Sequence, residues 1–203
     1  MALILALSGL AACGDGDDGG DETVDTAGPR AAVPDLDRYL MRTGEEPGFR
    51  QGALPGAVPR KRETITGVNA FVNDMGLGPA DERRLRSEGF ISFTLQPIRG
   101  PRAAGVSNVA LYETAKGAKH SLAHDLRPDV IREAGPVEGL RFFPVPGVPG
   151  ARGWTASKPN VGNALWVQGR CTLVLGNQGP GPLAGPLSKG ARAIYERTNG
   201  QCP

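Results

Sequence analysis

The chain has 203 residues, with 23 basic and 21 acidic side chains and 39% hydrophobic residues, enough for one core. Its 30 glycines and 18 prolines require long loops or tails. No run of 18 apolar residues is present, which excludes a spanning helix. Three cysteines exclude both a disulfide-dense mini-protein and a four-cysteine zinc site.

Charge divides the chain. Residues 1–29 hold six acids (Asp15, Asp17, Asp18, Asp21, Glu22, Asp25) and no Lys or Arg, whereas residues 30–203 hold 23 basic and 15 acidic groups, a net +8. Ala2 to Ala12 are apolar or small and end in Leu10-Ala11-Ala12-Cys13. This run resembles the lipobox of bacterial lipoproteins. The resemblance implies lipidation of Cys13, cleavage before it, and anchoring at the extracytoplasmic face of the cell membrane. A stretch this short fits a signal segment and not a membrane span. It departs from the family in one respect: Met1 runs straight into Ala-Leu-Ile-Leu with no positive residues. An upstream start codon is the expected cause. The expected organisation is a signal peptide over 1–12, a lipidated Cys13 with an acidic Gly-rich linker over 13–34, and a folded domain over 35–203.

With Cys13 occupied by lipid and the protein exported, Cys171 and Cys202 are left to form one disulfide in an oxidising compartment. Closing a loop of about 30 residues stabilises the fold by roughly 3–4 kcal/mol.

In chain order, residues 30–60 read as an irregular approach with a short helical piece over 35–42. Ile65, Val68, Val72 and Met75 recur at helical spacing, which predicts a helix over 63–75. A second helix is predicted over 79–88. Pro79 suits its first position, acids its first turn and arginines its last. Strands are predicted at 90–95 and 106–112, followed by a helix over 113–126 that stops before Pro128. Four more strands are predicted at 140–145, 151–157, 164–168 and 171–175, the last two joined by a tight hairpin at Gly169-Arg170. A Gly/Pro loop over 176–186 leads to a final helix over 186–198. The fold class is therefore α+β: an antiparallel or mixed sheet of about six strands with helices packed on it.

The phrases Arg152-Gly153-Trp154-Thr155, Leu165-Trp166-Val167 and Leu173-Val174-Leu175 give the body a pattern similar to PsbP-like domains and to the extracellular sensor domains of bacterial receptor Ser/Thr kinases. That resemblance brings no catalytic motif and implies a role in binding ligands or partners.

No acyl-transfer motif is present. His120 and His124 stand at i, i+4 without an intervening glutamate, and the helix pattern turns them to solvent, away from the apolar face. Pro180, Pro182 and Pro186 remove N–H donors that a phosphate loop would need. Neither metal nor cofactor is expected. Trp154 and Trp166 lie on adjacent predicted strands with Arg152 and Arg170 near strand ends. Two Trp in an aromatic-poor domain read first as core; where their face is exposed, these four residues are the candidate ligand site, suited to an anionic or aromatic ligand. The expected function is a lipid-anchored binding or sensor-like domain, monomeric and without a nucleic-acid partner. An envelope module on anionic wall polymers is the alternative, and a hydrolase a third reading.

Overall fold

A computed structural model describes residues 34–53 and 61–203. Cys13, the signal-like run and most of the acidic linker lie outside the described residues.

Eight strands form one antiparallel sheet. They are β1 (Arg50–Gln51), β2 (Glu63–Thr66), β3 (Phe90–Arg99), β4 (Ala104–Tyr112), β5 (Arg141–Pro144), β6 (Arg152–Ser157), β7 (Asn160–Gln168) and β8 (Cys171–Gln178). The order is β1-β3-β4-β8-β7-β6-β5, and β2 also pairs with β3. Five α-helices accompany it: α1 (Val68–Asp74), α2 (Pro79–Glu88), α3 (Ala115–Asp125), α4 (Pro128–Glu133) and α5 (Ala184–Arg197). The α+β class holds. The strand number rises from about six to eight, and every pairing is antiparallel.

Both faces of the central strands are covered, which is why Leu173-Val174-Leu175 is apolar at consecutive positions. On one face, Val109, Leu111, Ala164, Trp166, Leu173 and Leu175 meet Leu187, Ala191 and Ile194 of α5. Leu36, Tyr39, Leu40 and Met41 complete this layer from an N-terminal strap over residues 34–49, whose only helical part is one 3-10 turn at Asp37–Tyr39. On the other face, Val68, Phe71, Leu85 and Ala118 of α1, α2 and α3 cover Phe90, Phe93 and Ala110. Farther along that face, Leu122 of α3 and Ile131 of α4 cover Trp154, Ala156, Leu165 and Val174.

Local chemistry explains where elements differ from expectation. Residues 63–66 are a strand, not the start of a helix. Thr64, Ile65 and Thr66 are β-branched and stiff, which suits a pleated edge. Ile65 pairs opposite Phe93, and Gly67 at φ 85° ends the strand before α1. Helix α4 was not foreseen because Pro128 reads as a stop; here it stops α3 and opens the next helix. Strand β8 runs three residues into the expected loop, to Gln178, and β7 begins four residues early at Asn160, because the two pair over most of their length. Helix α2 keeps its predicted bounds, with Pro79 at its start and Gly89 in the left-handed region at its end.

The Cys171–Cys202 disulfide is present, with Cα atoms 5.9 Å apart, and ties the C-terminus to the first residue of β8.

Candidate functional site

The four residues singled out from the sequence do not form one site. Trp154 and Trp166 are both 0% exposed and lie on opposite faces of the sheet. Trp154 is packed beneath α3 and α4, and its indole N–H has no hydrogen-bond partner. Trp166 lies beneath α5, and its Nε1 donates to Gln168 Oε1 at 2.8 Å. Adjacent strands put these residues near each other in sequence pattern, but their parity relative to the register sends them apart. Neither offers a stacking plane to solvent: both are core residues, and the candidate ligand site loses its two tryptophans. Arg170 is half-buried; its Nε donates to the Pro203 carbonyl at 2.6 Å and holds the C-terminus. Arg152 alone remains an exposed cation.

An open groove of about 580 Å³ lies between α3 and the segment entering β6. Leu122, Leu126 and Val167 supply its apolar lining, with Ala115 and Ala123 on the helix and Pro149, Gly150 and Gly169 on the opposite rim. Lys119 completes the lining and carries its charge. Ala115, Lys119 and Ala123 stand at i, i+4 and i+8, so one stripe of α3 presents small, basic, small. The alanines leave the space, and the turn at 149–150 closes its side. Arg152 begins β6 two residues after Gly150, on the strand face that also carries Trp154, and is not part of the groove lining. The size falls within the range of small-molecule sites, and the lining is mostly apolar with few polar groups.

The same helix carries the two histidines. His120 is exposed, with Nδ1 3.8 Å from Glu88 Oε1. His124 departs from the sequence expectation: it is half-buried, and Nδ1 lies 3.4 Å from Asp125 Oδ1. Burial, reinforced by the charges of Arg84 and Arg127, lowers its pKa to about 4, so the ring stays neutral at physiological pH. Behind the histidines is a buried polar seam between α2 and α3. Arg84 Nη1 donates to Glu88 Oε2 at 2.8 Å, and the Tyr112 hydroxyl and Ser121 Oγ are 2.7 Å apart. Burial pushes the Tyr112 pKa up. Among the described residues, no three of His, Cys, Asp and Glu converge as metal ligands.

A second polar feature lies across the sheet. Glu46, on the strap, is 0% exposed and accepts a hydrogen bond from Asn177 Nδ2 of β8. No sequence pattern announced it, because a single Glu beside Pro47-Gly48 reads as an exposed turn.

No family model and no curated protein matches the sequence. Among solved structures, the chain is similar to the extracellular domain of PknH from Mycobacterium tuberculosis, at 12% identity and a TM-score of 0.49. That likeness covers 79% of this chain and 93% of the other.

Proposed function

We propose that the chain is a lipid-anchored extracytoplasmic binding domain, non-catalytic, that takes a small amphipathic ligand bearing an anionic group. The groove on α3 carries the reading. Its apolar lining would hold the ligand body, and Lys119 on its wall would meet its charge. Anchoring at Cys13 rests on Leu10-Ala11-Ala12-Cys13 and on the acidic, Gly-rich residues that follow. The Cys171–Cys202 bridge supports export, since such bonds persist in oxidising compartments. Among the described residues, no helix is long and apolar enough to cross a membrane.

The test is titration with 8-anilinonaphthalene-1-sulfonate, an anionic aromatic probe, against the native chain and two variants. Ala123→Trp fills the groove from an exposed position and should abolish probe fluorescence while leaving thermal unfolding unchanged. Lys119→Glu should weaken binding about fivefold, the equivalent of roughly 1 kcal/mol. Probe binding that is unaltered by both variants rejects the groove as the site. For the anchor, Cys13→Ser should move the protein from the membrane fraction to the soluble fraction.

A further inference from the structure

Glu46 sits at the turn of the strap, between β8 and α5. Its side chain has no ionic partner among the described residues. On its own segment, Glu45 is paired with Arg197 of α5, and the Arg42 backbone N–H donates to Glu45 Oε2. On α5, Arg192 pairs with Glu196, and Lys189 is exposed. Strands β4 and β8 contain no charged residue, and Arg99 of β3 has a buried Nε with no hydrogen-bond partner.

Two atoms of the Glu46–Asn177 pair are buried and unpartnered: Glu46 Oε2 and Asn177 Oδ1. Both are acceptors while the carboxyl is ionised. The amide already donates Nδ2–H to Glu46 Oε1. A proton on Oε2 supplies the missing donor for Oδ1, and the acid and amide then close a two-bond ring that satisfies all four groups. The surroundings are shaped to this pair. A Cβ at Gly105 would stand 2.3 Å from Asn177 Oδ1, and one at Gly190 would stand 3.1 Å from Glu46 Cβ. A side chain at Gly105 would press on Asn177, whereas one at Gly190 would meet Leu175 Cδ2 at 2.5 Å before it reached Glu46.

We propose that Glu46 and Asn177 form an acid–amide latch that closes the strap turn over the sheet when Glu46 is protonated and loosens it when the carboxyl ionises. Burial raises the Glu46 pKa to about 7, only partly offset by the Asn177 hydrogen bond, so the latch operates near neutrality. On ionisation the proton passes to water, and the charge is solvated only if the turn opens. The segment that moves is residues 42–51, with β1 at its end. Leu36 to Met41 stay in place, held by core packing, by the Met41 N–H donating to Ser107 Oγ at 2.9 Å and by Gln96 Nε2 donating to the Met41 carbonyl at 2.9 Å. The device thus couples external pH to the β1 edge of the sheet without unfolding the domain.

Hydrogen–deuterium exchange of the full-length chain at pH 5.5 and pH 8.0, corrected for intrinsic rates, tests this. The amide of Phe49, which donates to the Glu46 carbonyl at 3.0 Å, reports on the turn. Its opening equilibrium should rise roughly thirtyfold between the two pH values if the carboxyl ionises freely when open. Amides of β7 and β8 should not change. In Glu46→Gln the amide replaces the protonated acid, and protection of Phe49 should become independent of pH. Equal protection of Phe49 at both pH values in the native chain overturns the latch, as does a Glu46→Gln variant that keeps the full pH dependence. Should that variant fail to fold, the carbon-13 carboxyl resonance of Glu46 in the native chain decides: a midpoint near 7 supports the latch, and one below 5.5 overturns it.

Discussion

Trp154 and Arg152 share one strand face, yet one is fully buried and the other exposed, and their substitutions should separate cleanly. Trp154 fills the space beneath α3 and α4, so Trp154→Ala should destabilise the fold by about 3–5 kcal/mol, the usual cost of truncating a buried Trp. Arg152→Ala should stay within about 0.5 kcal/mol, because its side chain is at the surface. Urea unfolding measures both, and near-equal effects would contradict the placement of Trp154. The cysteine pair is also a residue-scale case. Replacing both Cys171 and Cys202 by Ala should lower stability by roughly 3–4 kcal/mol through the lost loop closure, with the fold retained. The pairing was legible because the resemblance of residues 10–13 to a lipobox sets Cys13 aside; of the three cysteines, Cys171 and Cys202 are bridged. What was not legible was the side of the sheet each Trp faces. That depends on how β6 registers against β7, where Trp154 pairs with Asn163 and Trp166 pairs on its other side with Leu173.

Helices show the same division between local and tertiary control. The bounds of α2 were readable because Pro79, its acidic first turn and the arginines towards its end are local signals. The opening of β2 was misread because Ile65 fits a helical repeat with Val68 and Val72 equally well, and only the open edge of β3 decides the matter. Glycine substitutions within helices make this argument quantitative. Gly185 in α5 has open space at its Cβ position, so Gly185→Ala should stabilise by about 0.4–1 kcal/mol. Gly117 in α3 is also helical, but its Cβ would stand 1.9 Å from the Glu88 carbonyl oxygen. That contact is with backbone and cannot yield by a rotamer change. Gly117→Ala should therefore destabilise by about 1–3 kcal/mol, reversing the sign that propensity alone assigns. Thermal unfolding of the two variants side by side is the check. A stabilised Gly117→Ala would mean that α2 and α3 do not approach as closely as described. The groove on α3 was missed for a related reason. Only the arrival of the 149–150 turn beside Ala115, Lys119 and Ala123 makes a concavity, and that approach is set by tertiary packing.

At the scale of the whole molecule, one buried and one half-buried titratable group on opposite faces of the sheet shape the pH dependence of stability. Glu46 has its folded pKa raised from 4.5 to about 7 by burial. Its contribution is therefore complete below pH 4.5 and is lost as pH rises through 7, with a full span of about 3 kcal/mol. His124 has its folded pKa lowered from 6.5 to about 4, again by burial first. Between those values the unfolded chain binds the proton that the folded chain refuses, so stability falls as pH drops from 6.5 towards 4. The two slopes oppose each other from pH 4.5 to 6.5, and from these two groups the native chain should show little net change there. Above 6.5 only the Glu46 slope remains, and stability should decline until pH passes 7 and then level off. Glu46→Gln removes that decline and leaves the His124 slope alone, so the variant should gain stability steadily from pH 4.5 to 6.5 and hold it at pH 8. His124→Asn should do the opposite, with stability falling across the whole range from 4.5 to 7. Urea midpoints collected at half-unit pH intervals distinguish the three curves. Parallel curves for the native chain and both variants would show that neither group titrates differently in the folded state, and would remove burial as the source of pH sensitivity in this domain.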